Sequence, residues 1–323
     1  MFPWAPSQEE GGHVRGPDLP TWREAWSEAL YGPDGFFRRE SAGDHFRTSV
    51  HASALFAEAV LELLRRTGLT AVTDVGAGGG ELLNALHRLA PGRLDLFGID
   101  LAARPPGLPS EIGWREELRG EIDGLVIANE WLDNIPCDVV EVDPQGVVRY
   151  VHVDPETGEE ALGEQCHERW LRRWWPVSQT GTRAEVGSAR DRAWADVVRR
   201  LRHGLAVTVD YGHTCHTRPP LGSLASYQRG RQVDVVPDGS RDITAHVAVD
   251  SLDGQRCRQR DALRALGVDA GRPHLDQAHT DPKGYVAGLS RASEAAELTA
   301  RGGLGDFWWV CVARGVDPDL PLA

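Results

Sequence analysis

Lysine is nearly absent from this 323-residue chain: Lys283 is the only one, and the remaining positive charge is arginine. That bias reflects codon usage rather than chemistry. Positive charge is also outweighed, with 35 Lys and Arg against 48 Asp and Glu and a formal net charge of −13. Such a balance argues against nonspecific nucleic-acid binding, which relies on basic side chains displacing the counterions of phosphate. An acidic surface suits a basic partner, but it serves solubility equally well.

Long apolar runs are missing too. None reaches the roughly 18 residues of a membrane span, so no span is expected. Met1-Phe2-Pro3-Trp4 is not a basic patch followed by an apolar stretch, and Glu9 and Glu10 come early. No export or transit segment is expected, which makes the cytoplasm the expected location. Cysteines are few and scattered (Cys137, Cys166, Cys215, Cys257, Cys311), with no Cys-x-x-Cys, which leaves no basis for a disulfide framework or a zinc ribbon. His213-Thr214-Cys215-His216 holds ligand-type residues but no second cluster at zinc spacing, so no metal is expected. What is present is ordinary for a globular protein: 41% hydrophobic and 26% charged residues. The length allows one large domain, or one domain carrying an insertion.

Residues 1–20 are rich in Pro, Gly and polar residues and read as a loose arm. Trp22, Ala25, Trp26, Ala29 and Leu30 have helical spacing. A second amphipathic helix is expected over Ser53–Thr67, closed by Gly68 as a C-cap. Strand and helix then alternate. Strands are expected at Ala71–Val75, Leu94–Ile99, Ile112–Trp114, Gly124–Ala128 and Leu205–Val209, with a helix at Glu81–Leu89. That rhythm implies a parallel sheet with helices on both faces. Asp138–Val142 and Val147–Val153 flank a turn and read as a hairpin, followed by a Trp-rich helix at Glu168–Trp175. Phe307–Ala313 suits a final buried strand. The expected organisation is an N-terminal arm and helical element (1–68), a first half of the core (69–136), an insertion (137–190) and a second half (191–323).

The strongest local signal is Asp74-Val75-Gly76-Ala77-Gly78-Gly79-Gly80-Glu81. A strand runs into glycines that permit a tight turn and a close backbone approach to a ligand, and then into a helix with unpaired N–H groups. The spacing fails the dinucleotide pattern Gly-x-Gly-x-x-Gly, and no Gly-Lys-Ser/Thr follows for a phosphate loop. Asp-x-Gly-x-Gly-x-Gly instead resembles the first motif of class I S-adenosylmethionine (SAM) methyltransferases. In that motif the acidic residue works near the amino-acid part of SAM. Asp100 ends the next strand, where a carboxylate suits ribose hydroxyls.

Further along, Asn129-Glu130-Trp131-Leu132-Asp133-Asn134-Ile135-Pro136 follows the fourth strand, the end of the sheet at which this fold class does its chemistry. The segment resembles the Asn-Glu-x-x-Asp-x-x-Pro element of the MidA-type methyltransferases, which include the mitochondrial complex I assembly methyltransferase. Gly43-Asp44-His45-Phe46-Arg47-Thr48-Ser49, Asp210-Tyr211-Gly212, Gly222-Ser223-Leu224-Ala225-Ser226-Tyr227 and Asp242-Ile243-Thr244-Ala245-His246-Val247 are similar to further elements of that family. The likeness spans roughly residues 22–314. Val50-His51 and residues 256–281 depart from it, which bears on the substrate more than on the cofactor.

The resemblance implies a Rossmann-like class I methyltransferase: a mostly parallel seven-stranded sheet with helices on both faces, an N-terminal helical element and an inserted hairpin and helix. It implies SAM as cofactor, held by Asp74, Gly76, Ala77, Gly78, Gly80, Asp100, Leu101, Asn129 and Glu130. It implies methylation of a protein substrate on arginine, with Glu130, Asp133, Asn134, Asp44 and His246 as catalytic candidates and Tyr211, His213 and Asp242 lining the site. A guanidinium stays protonated and is a poor nucleophile, and carboxylates can hold it and localise its charge. Glu130 and Asp133 also fit as caps of a helix expected after the fourth strand. Competing readings are a non-catalytic SAM-binding assembly factor, a small-molecule methyltransferase, and an NAD(P) oxidoreductase, which the glycine spacing disfavours.

Overall fold

A computed structural model describes residues 19–39, 54–228 and 230–322. The Gly43–Ser49 element, with Asp44 and His45, lies outside the described residues. The chain divides into two units. A sheet unit comprises Arg47–Asn129, Arg200–Tyr211 and Gly254–Ala323, and a second unit comprises Met1–Phe46, Glu130–Arg199 and Gly212–Asp253.

The sheet unit carries seven strands: β1 (Ala71–Val75), β2 (Asp95–Ile99), β3 (Gly113–Arg115), β4 (Ile122–Asn129), β5 (Leu201–Asp210), β6 (Gln255–Arg258) and β7 (Trp308–Arg314). Their order across the sheet is β6-β7-β5-β4-β1-β2-β3. β1 pairs in parallel with β2 and β4, and β4 with β5. β7 runs antiparallel to both β5 and β6. The mostly parallel seven-stranded expectation holds. β4 is central, and Leu125–Ala128 are fully buried. That is why this stretch reads as a continuous apolar run with no alternation.

Helices α1 (Ala54–Thr67) and α2 (Glu81–Leu89) pack on the sheet. Leu55, Phe56, Val60, Leu63 and Leu64 of α1 and Leu82, Leu83 and Leu86 of α2 recur at helical spacing and are buried. Phe56 meets Trp309 edge-on at 6.0 Å. Gly68 ends α1 with φ +69°, as a C-cap glycine does. The helix expected after β4 does not form: residues 130–136 are irregular. Glu130 and Asp133 therefore cap nothing there. The poorly matching 256–281 stretch supplies β6 and the helix Gln259–Ala265.

In the second unit the expected hairpin forms between Asp138–Val142 and Val148–Val153. Its turn is set by Asp143, whose Oδ1 accepts the N–H groups of Gln145 and Val147 at 2.9 and 2.8 Å. The hairpin is the middle of a four-stranded antiparallel sheet, with Glu160–Gln165 on one side and Arg183–Val186 on the other. A three-stranded sheet pairs Ala225–Gln228 with Arg231–Val233 and Asp242–Thr244. Gly212–His213 pairs in parallel with Val247–Ala248. The helix Trp22–Tyr31 opens with a capping box between Thr21 and Glu24, and Trp26 Nε1 donates to the Ile243 carbonyl at 3.0 Å. The Trp-rich helix is short, Arg169–Trp174, and Trp170 and Trp175 are buried in an apolar cluster. Among the described residues, no helix is long and apolar enough to cross a membrane.

Candidate functional site

In the sheet unit, the glycine loop joins β1 to α2 at the carboxyl ends of β1 and β2. Asp74 is the penultimate residue of β1 and is buried. Gly76, Gly78 and Gly80 take φ of +72°, +55° and +74°, conformations that side chains with a Cβ resist. This is the physical reason for the alternating glycines. The loop is laced to β2 by the Gly76 and Ala77 N–H groups, which donate to the Ile99 carbonyl at 2.9 and 3.2 Å. Gly80 precedes α2 with no side-chain cap, so the helix start depends on other acceptors for its N–H groups.

Asp100 has a job that the sequence did not suggest. Its Oδ2 accepts the Gly78 N–H at 2.8 Å, and its Oδ1 accepts the Ala102 N–H at 2.8 Å. It hooks the loop from beneath, and a carboxylate still keeps lone pairs for ribose hydroxyls. Leu101 follows it, and the Leu101 N–H also favours the charged form of Asp100. Burial, then the charges of Asp100 and Glu81, push the Asp74 carboxyl up to about 8. Burial likewise raises Asp100, against the pull of the Ala102 and Gly78 N–H groups.

Three carboxyl groups therefore converge on one loop: Asp100 and Glu81 make Asp74 harder to ionise, and Glu81 does the same to Asp100. A cationic ligand relieves that conflict, whereas a pyrophosphate would aggravate it. SAM brings an ammonium and a sulfonium, so the residues present fit SAM and oppose a dinucleotide. Asn129 ends β4 and is buried beside β5, paired with Val209.

In the second unit, Asp133, Asn134, Asp242, Thr244 and His246 come together. Thr244 Oγ1 donates to Asp133 Oδ2 at 2.7 Å. Asn134 Nδ2 donates to Asp242 Oδ1 at 2.9 Å and to the Ile243 carbonyl at 3.1 Å. Asp242 is only 4% exposed. Burial first, then the charge of Asp133, raise its pKa well above the usual carboxylate range. Desolvation and the Arg190 guanidinium hold His246 below the usual imidazole value, against the pull of Asp133. Glu130 has φ +52°, a left-handed backbone that a glutamate adopts only when its surroundings impose it.

The residue that sequence reasoning missed is Arg190. It is 2% exposed. Its guanidinium donates to the carbonyls of Ile135 (3.1 Å), Ala245 (2.9 Å), His246 (3.0 Å) and Asp133 (2.6 Å), and it lies over the Trp26 ring. One cation thus pins 133–135 to 245–246. The signal was legible: Arg190 shares the helix face of Ala193, Trp194 and Val197, and a charged residue on a core-facing stripe needs partners. Among the described residues, no group of three His, Cys, Asp or Glu side chains could hold a metal ion.

The family described as "Putative S-adenosyl-L-methionine-dependent methyltransferase" matches residues 98–268, more than half of the chain. The chain belongs to this family. Its methyl donor is SAM. Two solved structures from Burkholderia thailandensis, both of the COG1565 superfamily, have similar folds. One, bound to S-adenosyl-homocysteine, is 24% identical over 93% of this chain and 89% of that chain, with a TM-score of 0.75. The other, a native crystal structure, is 25% identical over 94% of this chain and 90% of that chain, with a TM-score of 0.74. No curated protein matches the sequence.

Proposed function

We propose that the protein transfers the methyl group of SAM to a protein side chain, an arginine guanidinium by its resemblance to the MidA-type enzymes. The observation that carries the reading is the Asp133–Asp242 pair in the second unit. Burial and the charge of Asp133 raise the Asp242 carboxyl well above the usual carboxylate range, so the pair holds a proton more readily than two separate carboxylates do. Chemically, such a pair can accept hydrogen bonds from a guanidinium and take up the proton that the nitrogen loses on methylation. Glu130, Asp133 and Asn134 are the acceptor-side candidates, with His246 beside them and Asp44 as a further candidate from the N-terminal element. On the donor side, Asp74 pairs with the SAM ammonium and Asp100 with its ribose. The Gly76–Gly80 loop, Leu101 and Asn129 shape the cradle.

Methyl transfer is an in-line displacement at sulfonium, so the protein's contribution is alignment and exclusion of water. The test is labelled-methyl transfer from SAM into cell lysate, followed by mass spectrometry of methylated proteins with and without this chain. Glu130→Gln and Asp133→Asn are expected to abolish transfer. Unchanged transfer in both refutes the carboxylate role.

A second reading has an observation behind it. Asp133 and Asp242 are buried and already hold Thr244 and Asn134, which suits a non-catalytic SAM-binding module. In that case calorimetry detects SAM binding while lysate labelling stays blank.

A further inference from the structure

The second unit contains a buried donor that the carboxylate chemistry does not use. His213 ends the strand Gly212–His213 and is 3% exposed. Its ring is gripped on one side. Arg218 Nη1 donates to Nδ1 at 2.6 Å and to the His213 carbonyl at 3.1 Å. Arg218 is fixed in turn: Nη2 donates to the Trp174 carbonyl at 2.8 Å and to Asp250 Oδ1 at 2.6 Å. Asp250 Oδ2 accepts the Cys215 N–H at 2.7 Å. Trp175 packs edge-on against the imidazole, with centroids 4.5 Å apart.

A guanidinium can only donate. Nδ1 must therefore accept, and the ring proton sits on Nε2. Nε2 is buried and meets no hydrogen-bond partner among the described residues. Burial, then the charges of Arg218, His246 and Arg190, pull the imidazole pKa down to about 3. The ring is neutral across the physiological range. It cannot serve as a base, because one nitrogen is blocked and the other already carries a proton. It can only donate. Buried donors in native structures are rarely left unmet. The His246 ring stands 6.3 Å away, on the same stretch as Asp242 and Thr244, which hold the carboxylate side.

We propose that His213 is a substrate-binding residue whose Nε2–H donates to a carbonyl oxygen of the methyl acceptor, selecting an amide-bearing, peptide-like substrate. A neutral carbonyl suits this position because the ring offers a neutral donor, and the Arg218 charge at Nδ1 is already answered by Asp250. The inference rests on the methyl-transfer reading for its ligand, but not on arginine as the methylated residue.

The test is imidazole nitrogen–proton correlation NMR on the full chain with S-adenosyl-homocysteine present. The His213 signal is assigned by its loss in His213→Phe or, should that variant not fold, in His213→Gln. N-acetyl-alanine N′-methylamide and N-acetyl-arginine N′-methylamide are titrated separately, with ethylguanidinium as control. The expected result is an Nε2–H tautomer and a saturable downfield shift of that proton with both amides, and none with ethylguanidinium. A shift with ethylguanidinium alone, no shift with either amide, or a proton that only contacts water overturns the proposal. If both amides shift the signal but the arginine compound accepts no methyl group, arginine is refuted and the role of His213 stands.

Discussion

Asp74 links cofactor binding to pH in a way that can be worked through. Its carboxyl is pushed up to about 8 by burial first, and then by Asp100 and Glu81. The proposed partner of the ionised form is the SAM ammonium. Below pH 8 the apo protein holds a proton there that binding must expel, so affinity falls about tenfold per pH unit. From pH 8 to pH 6 the SAM dissociation constant is expected to rise about 50-fold, because the group is already half-protonated at pH 8. Folding runs the other way. The unfolded chain ionises Asp74 from its ordinary value of 3.8, while the folded chain resists until about 8. Over that window the unfolded state binds fewer protons, so this group erodes stability as pH rises, and the loss levels off above pH 8. A rise from 3.8 to about 8 bounds this contribution at about 6 kcal/mol. Asp74→Asn removes the penalty. It should stabilise the apo protein at pH 8 by about 1 kcal/mol or more and weaken SAM binding by about 2–5 kcal/mol. Isothermal calorimetry from pH 6 to 9, with urea melts of both proteins at pH 8, measures both. Affinity independent of pH, or an Asn variant that binds SAM as tightly as the parent, refutes the reasoning.

Other perturbations have readable outcomes. Gly80→Ala forces φ +74° on a residue with a Cβ and places that Cβ 2.9 Å from Leu108 Cδ1. It should cost about 1–2 kcal/mol in urea melts and weaken SAM binding in calorimetry. Arg190→Ala leaves the Ile135, Ala245, His246 and Asp133 carbonyls without their donor and should cost at least about 3 kcal/mol. A loss below about 1 kcal/mol by denaturation would mean that the guanidinium is not the pin between 133–135 and 245–246. Glu130→Gly relieves the left-handed backbone and should gain up to about 1 kcal/mol of stability while lowering methyl transfer. Stability unchanged or reduced would mean that Glu130 bears no strain.

The candidate cofactor loop of the sheet unit was legible because local rules agree there. An apolar strand, an acidic residue, alternating glycines and an amphipathic helix specify the β1–loop–α2 unit within a dozen residues, and Ala71–Val75 and Glu81–Leu89 match their expected bounds. The candidate cluster of the second unit was legible as residues but not as geometry. A helix was expected after β4 because helices follow strands in this fold class, yet 130–136 is held irregular by long-range bonds from Arg190, whose helix face shows that it needs partners but not which ones. The three-residue strands Arg231–Val233 and Asp242–Thr244 are too short for any period to register. The loop-hooking role of Asp100 was hidden because a carboxylate at a strand end reads the same whether it binds ribose or its own backbone.

The place of β7 in the sheet has a consequence during synthesis. β7 sits between β5 and β6, yet it follows both in the chain. When β5 has left the ribosome, roughly a hundred residues separate it from β7, an interval of about 5–20 s at ordinary elongation rates. Throughout it, the edge of β5 that β7 will cover presents unpaired backbone N–H and C=O groups on a strand whose Leu205, Val207 and Val209 are apolar, and β6 has nothing to join. An open apolar strand edge is the usual seed of misassembly. The nascent chain is therefore expected to need holding until its last strand arrives, and shortening β7 should harm solubility before it harms the cofactor cradle.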